Sequence, residues 1–191
     1  ITNKNPGGYS YAGRVEFLPF GNFSDKGDYT GPDLAKEEEI KLSIGIAYDF
    51  NDGAVRSRGH TGGFVFTSGG DLVKNDLHTF LADAMLKYQG LSVNGEFANR
   101  DAENDNGFGT GTAYMGSLGY VFGKDFGISG RYATLSKNGN FSSLTEHSEY
   151  TFAVSKYISG HKLKLQASAG LLDFVSRDDL MRFQVHMEIA F

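Results

Sequence analysis

The sequence predicts an all-β fold of long antiparallel strands. Three observations predict it: a strict two-residue alternation, segments of unusual length, and connections that alternate between short and long. The alternation is plainest in LMRFQVHMEIAF, Leu180 to Phe191. Phe183, Val185, Met187, Ile189 and Phe191 fall on one side, and Arg182, Gln184, His186 and Glu188 on the other, because successive strand side chains point to opposite faces. Composition agrees, with 26 Gly, 14% aromatic residues and no Trp, and with little apolar periodicity of 3.6.

Nine segments alternate in this way, near 9–20, 40–50, 77–89, 91–100, 112–122, 125–135, 148–158, 161–173 and 180–191. The first carries aromatic ends (Tyr9, Tyr11, Phe17, Phe20) and places Arg14 and Glu16 on one face. The second sets Ile40, Leu42, Ile44, Ile46, Tyr48 and Phe50 against Lys41, Ser43, Gly45, Ala47 and Asp49. The third and fourth place Asp83 with Lys87, and Glu96 with Arg100. In the fifth, Tyr114, Leu118, Tyr120 and Phe122 oppose Met115, Ser117 and Gly119. The sixth and seventh bring Arg131 and Glu149 to the polar side. The eighth opposes Leu163, Leu165, Ala167, Ala169 and Leu171 to Lys162, Lys164, Gln166 and Ser168, and the ninth is the stretch quoted above.

Most segments reach ten to thirteen residues, beyond the ~5–6 usual for soluble strands and close to the ~9–11 that cross a bilayer at a tilt. Gln89-Gly90, Gly123-Lys124 and Ser159-Gly160 mark tight turns, whereas 51–76, 101–111, 136–147 and 174–179 are longer. Short turns at one end and long loops at the other are the pattern of an outer-membrane barrel. Aromatic residues at segment ends, including Tyr48, Phe126 and Tyr157, suggest girdles at both rims. The expected architecture is a transmembrane antiparallel β-barrel, a single domain over 1–191 whose apolar face meets lipid. The 19 residues Gly21–Glu39 break the pattern, being long yet on the short-turn side.

Several function classes are disfavoured. A net charge of −5 is a poor match to nucleic acid, which needs basic surface to displace counterions. Without Cys the chain has no thiolate ligand, thiol nucleophile or internal disulfide frame. No apolar run approaches the ~20 residues of a spanning helix. The opening ITNKNPGG lacks the basic start and apolar core of a signal peptide and has no Met, so a processed chain or a piece of a longer one is expected. His60, His78, His147, His161 and His186 are scattered, and no nucleophile elbow occurs. GFGTGT (Gly107–Thr112) lacks a surrounding βαβ unit and reads as a loop entering a strand, and DAENDNG (Asp101–Gly107) fails the calcium-loop spacing. No catalytic residue, metal or cofactor is expected.

The polar face carries the cations Arg14, Lys41, Lys87, Arg100, Arg131, Lys162, Lys164 and Arg182, and the acids Glu16, Asp49, Asp83, Glu96, Glu149 and Glu188. The slight cationic surplus would concentrate anions in a narrow channel, unless the charges pair with one another and keep the lumen wet. The surplus acid of the whole chain is expected in loops such as Glu37–Glu39 and Asp101–Asp105. Arg56 and Arg58 share one side of an extended chain and could pass an oxyanion between bidentate contacts. They lie in 51–76, whose GGFVFTSGG is apolar for a loop. Either this loop folds into the lumen, or it is exposed and the arginines are ordinary surface groups.

The run YAGRVEFLPFGNFSDKGDYTGPDLAKEEEIKLSIGIAYDFNDGAVRSRG, Tyr11 to Gly59, resembles the phosphate-selective porin O/P family in its Bacteroidetes-type form. The later strands fit the same family. The resemblance implies a sixteen-stranded homotrimeric porin of the Gram-negative outer membrane, constricted by inward loops rich in Arg and Lys, with Arg56 and Arg58 as the pair that could join such a ladder. Nine strands is an odd count, whereas bacterial single-chain barrels have even ones. The expectation is therefore the C-terminal part of a larger barrel, or a further strand hidden in Phe64–Thr67. Phe191 resembles the terminal signal read by barrel-assembly machinery. The expected function is passive diffusion of small hydrophilic solutes, favouring anions such as phosphate. The alternatives are a docking barrel with a plugged lumen and, lacking any Ser–His pair, an outer-membrane hydrolase.

Overall fold

The computed structural model describes residues 8–104, 107–123, 125–139 and 142–190. In chain order the strands are β1 (Ser10–Phe17), β2 (Lys41–Ala54), β3 (Arg56–Arg58), β4 (Thr61–Phe64), β5 (Asn75–Tyr88), β6 (Leu91–Ala102), β7 (Gly111–Phe122), β8 (Phe126–Lys137), β9 (His147–Ser159), β10 (Leu163–Phe174) and β11 (Leu180–Ile189). A 3-10 turn at Ser24–Tyr29 lies between β1 and β2. Nine strands form one sheet in the order β1-β2-β5-β6-β7-β8-β9-β10-β11, and β3 and β4 form a separate hairpin. Neighbours in the large sheet run antiparallel throughout.

All nine predicted segments are present, and their ends shift for local reasons. β1 stops at Phe17 rather than 20 because Pro19 has no N–H to continue a ladder. The eighth segment begins at Leu163, since Gly160 (φ 54°) turns the chain at the rim and leaves Lys162 in the turn. β2 runs on to Ala54 through a bulge after Asn51. Of the additional strand sought at Phe64–Thr67, Phe64 ends β4 of the hairpin and Phe66 makes an isolated bridge to Leu72, so no further strand of the large sheet forms there. The large sheet is open, with β1 and β11 at its edges; a closed barrel is not formed among the described residues. Phe191 lies outside them, as do Asp105 and Asn106 of the DAENDNG loop.

The register divides the sheet into two faces. Val15 pairs with Ile46, Ile46 with Ala82, Ala82 with Phe97, Phe97 with Tyr114, and Ala169 with Phe152 and Phe183, giving a continuous apolar face. That face is bare: Val185 is 83% exposed, Val15 75%, Phe183 73% and Leu118 57%. The buried apolar residues of the sheet lie instead on the polar side, among them Leu77, Val121, Ala153, Leu172 and Phe174, alongside buried Ser43, Thr79, Lys87, Ser92 and Ser155. The molecule is inverted relative to a water-soluble fold, with greasy residues outside and polar groups sheltered.

Rings gather near both rims of the apolar face. Tyr11–Phe50 and Phe50–His78 stack at the long-loop end, with centroids 6.4 and 4.9 Å apart; at the short-turn end Tyr120–Phe122 meet edge to face at 4.8 Å and Phe122–Phe126 lie tilted at 6.2 Å. The expected confinement of rings to strand ends is only partial, because Phe97 and Phe152 occupy mid-strand positions. Tyr157, expected in a girdle, points to the polar face opposite Lys164 and is buried.

Candidate functional site

The polar face curls around a hollow space. Arg14, Asp83, Glu96, Met115, Leu135 and His147, drawn from β1 through β9, line one hollow of about 570 Å³, which a flat sheet of that width would not enclose. Beside it a second hollow of about 370 Å³ is walled by Ser117, Ser129, Arg131, Thr151, Arg182 and their neighbours.

Four of the eight wall cations meet carboxylates. Arg14 reaches over β2 to Asp83 on β5, its Nη2 donating to Oδ1 at 2.9 Å. The reach is possible because the residue between them is Gly45, where a methyl group would collide with both side chains. Arg131 and Arg182 converge on one oxygen of Glu149, at 2.7 and 2.6 Å. Lys164 pairs with Glu188 directly across the β10–β11 ladder at 2.9 Å. Arg100 donates from Nε to Thr79 Oγ1 at 2.9 Å, and Lys41 from Nζ to the Phe20 carbonyl at 3.1 Å. Mutual pairing with acids thus accounts for half of these cations, and Arg100 and Lys41 are held by neutral oxygens. Around Glu149 two cations share one acid, so a single positive charge remains uncompensated there.

Arg56 and Arg58 form no ladder along this wall. Arg56 is spent within its own hairpin, its guanidinium 4.0 Å above the Phe64 ring and its Nη1 donating to Gly62 O at 2.9 Å. Arg58 is exposed, and the hairpin register is irregular between the two. The hairpin does lean over the polar face: His60 Nε2 lies 3.2 Å from Asn51 Nδ2, and Asn51 is opposite Leu77 in the ladder. Beside it Ala54, Leu77 and Phe108 form a buried apolar cluster, with Val65, Val73 and Ala102 packed against them. Val65, from the apolar loop stretch, and Phe108, from GFGTGT, thus fold inward onto wall residues.

The opposite end holds the feature that pattern reading did not find. The β1–β2 connection folds over the polar face at its short-turn end. Lys87, 1% exposed, sends Nζ to Gly27 O at 2.6 Å, Pro32 O at 2.9 Å and Thr30 Oγ1 at 3.2 Å, which uses all three ammonium donors. Buried Asp33 accepts from Gly90 N at 2.7 Å and from Glu37 N at 3.2 Å. Buried Glu37 accepts from Ser24 N at 2.6 Å and Ser24 Oγ at 3.0 Å, while its carbonyl accepts from Gln89 N at 2.8 Å. Glu37 is therefore no solvated loop acid. Gly31 and Pro32 reach the hollow walled by β6 to β11, and Asn22, Phe23 and Thr30 share a depression with His161 in the β9–β10 turn. Burial, together with the nearby cations Lys87 and Lys164, holds the His161 imidazole below its ordinary pKa.

Among the described residues no group of His, Cys, Asp or Glu is placed to hold a metal ion. No helix among them is long and apolar enough to cross a membrane, which leaves crossing by strands untouched. Comparison with family models, with curated proteins and with solved structures finds no match.

Proposed function

We propose that this sheet is wall of a transmembrane β-barrel in the outer membrane of a Gram-negative bacterium, giving small hydrophilic solutes a path for passive diffusion. One observation carries the reading: a continuous apolar face across nine strands lies bare while polar and charged groups are sheltered on the other side. Exposed apolar surface of this extent is incompatible with a monomer in water and matches a lipid-facing wall. Strands of twelve residues run ~40 Å, enough to cross a ~30 Å hydrocarbon core at a tilt. The free edges β1 and β11 would be closed by further strands, because open ladder groups cannot stand in lipid.

The hollow on the polar side supplies the water path. Half of its cations are paired with acids, so the preference for anions, phosphate included, is modest and centred on Arg131 and Arg182 rather than on Arg56 and Arg58. The segment across the short-turn mouth favours a second reading, a docking barrel whose lumen is closed. Single-channel recording in planar bilayers separates the two, since a pore gives stable conductance steps and a closed scaffold gives none. A protein that stays monodisperse in buffer without detergent defeats both.

A further inference from the structure

We propose that the β1–β2 connection is a built-in plug that narrows the short-turn mouth, and that Lys87 is the residue positioning it. The inference rests on reading the sheet as a pore wall. Three observations carry it. The segment is tied to a distant part of the sheet by side chains it shelters: Lys87 lies at the end of β5, about sixty positions from the carbonyl oxygen of Gly27 that it holds, and Asp33 is bound to the β5–β6 turn. The segment also crosses the opening, since Gly31 and Pro32 meet the hollow on the β6–β11 side and Phe23 and Thr30 approach His161. Finally, the fit is close on both sides. A methyl group on Gly27 would press on Phe23 and lie in contact with Lys87 Nζ, and one on Gly90 (φ 91°) would collide with the Val121 carbonyl.

A solvated surface loop has none of these properties. Its acids would stay hydrated, whereas Asp33 and Glu37 are buried and wholly engaged with backbone and Ser24 donors. A buried ammonium and two buried carboxylates persist only where each satisfies the others' surroundings. Removing Lys87 takes the ammonium donor from three acceptors of the plug, of which Gly27 O keeps only its bonds from Thr30, and takes a cation from the surroundings of two acids, so the plug should leave the mouth while the strands keep their ladders.

The test uses the full-length gene product in two variants, Lys87→Met and a shortened protein in which 22–38 is replaced by a Gly-Ser turn. Folding of each is verified by heat-modifiable migration. Both variants should show single-channel conductance raised by at least about twofold, because flux follows the narrowest cross-section. Lys87→Met should be tolerated without further effect in the shortened protein. Folded variants with wild-type conductance would overturn the plug. If neither wild type nor the shortened protein conducts, the pore reading fails, and trypsin cleavage at Lys26 and Lys36 decides the plug alone. Protection in wild type that is lost in Lys87→Met supports it; equal cleavage rates overturn it.

Discussion

The two ends of the sheet are both covered from the polar side, but by opposite chemistry. At the long-loop end, Phe108 is fully buried against Leu77 and Ala54, an apolar contact between loop and wall. At the short-turn end, the cover is a polar network in which Lys87, Asp33 and Glu37 are sheltered together. The apolar cover tolerates small displacements, because dispersion and burial are not directional. The polar one does not, because each buried charge depends on the position of its partners.

The largest effect that would break this contrast is expected from Asp33→Ala. It takes the acceptor from Gly90 N and leaves Lys87 with less compensation, so about 3–5 kcal/mol of local stability should be lost. Hydrogen exchange should rise across 18–40 and leave the amides of 107–110 unchanged. Phe108→Leu should do the reverse on a smaller scale, about 1–2 kcal/mol, with faster exchange in 51–74 and none at the short-turn mouth. Equal responses at both ends would erase the distinction.

Smaller effects sharpen it. Arg14→Met breaks a half-exposed pair and should change unfolding free energy by only ~0.2–1 kcal/mol. It should nevertheless move the reversal potential under a salt gradient toward cations, since Asp83 is then uncompensated. The slightest change is expected at His161. Its imidazole should titrate below the ordinary ~6.5, and in Lys87→Met the midpoint should rise because one neighbouring cation is gone. NMR of the labelled ring measures both; an unmoved midpoint would separate His161 from the mouth network.

How much of this was legible in the sequence differs along the chain. The strands and their faces were, because a period of two forces every second residue to one side, and Ile44, Ile46 and Tyr48 leave no choice of face. The Lys164–Glu188 pair follows once β10 and β11 are in register. The Arg14–Asp83 pair does not, for it spans a whole intervening strand and depends on Gly45 being bare. The segment 18–40 was opaque for a different reason. Its Gly, Pro, Asp and Glu have no period, and such composition ordinarily means a hydrated loop. Asp33 and Glu37 are buried only because Lys87 arrives from far along the chain, and nothing local announces that meeting. The Arg56–Arg58 spacing suggests an anion relay, yet the ring of Phe64 at the end of β4 takes up Arg56.

The long sequence gap between Lys87 and the carbonyls it holds bears on biogenesis. The first hairpin, β1 with β2, can zip as soon as its own residues are available, but its connecting piece finds no anchor until the end of β5 has been delivered. Closing so distant a contact carries a larger loop-entropy penalty than zipping neighbouring strands. Lateral growth of the sheet should therefore come first, with the entrance taking its final form as a late step of maturation.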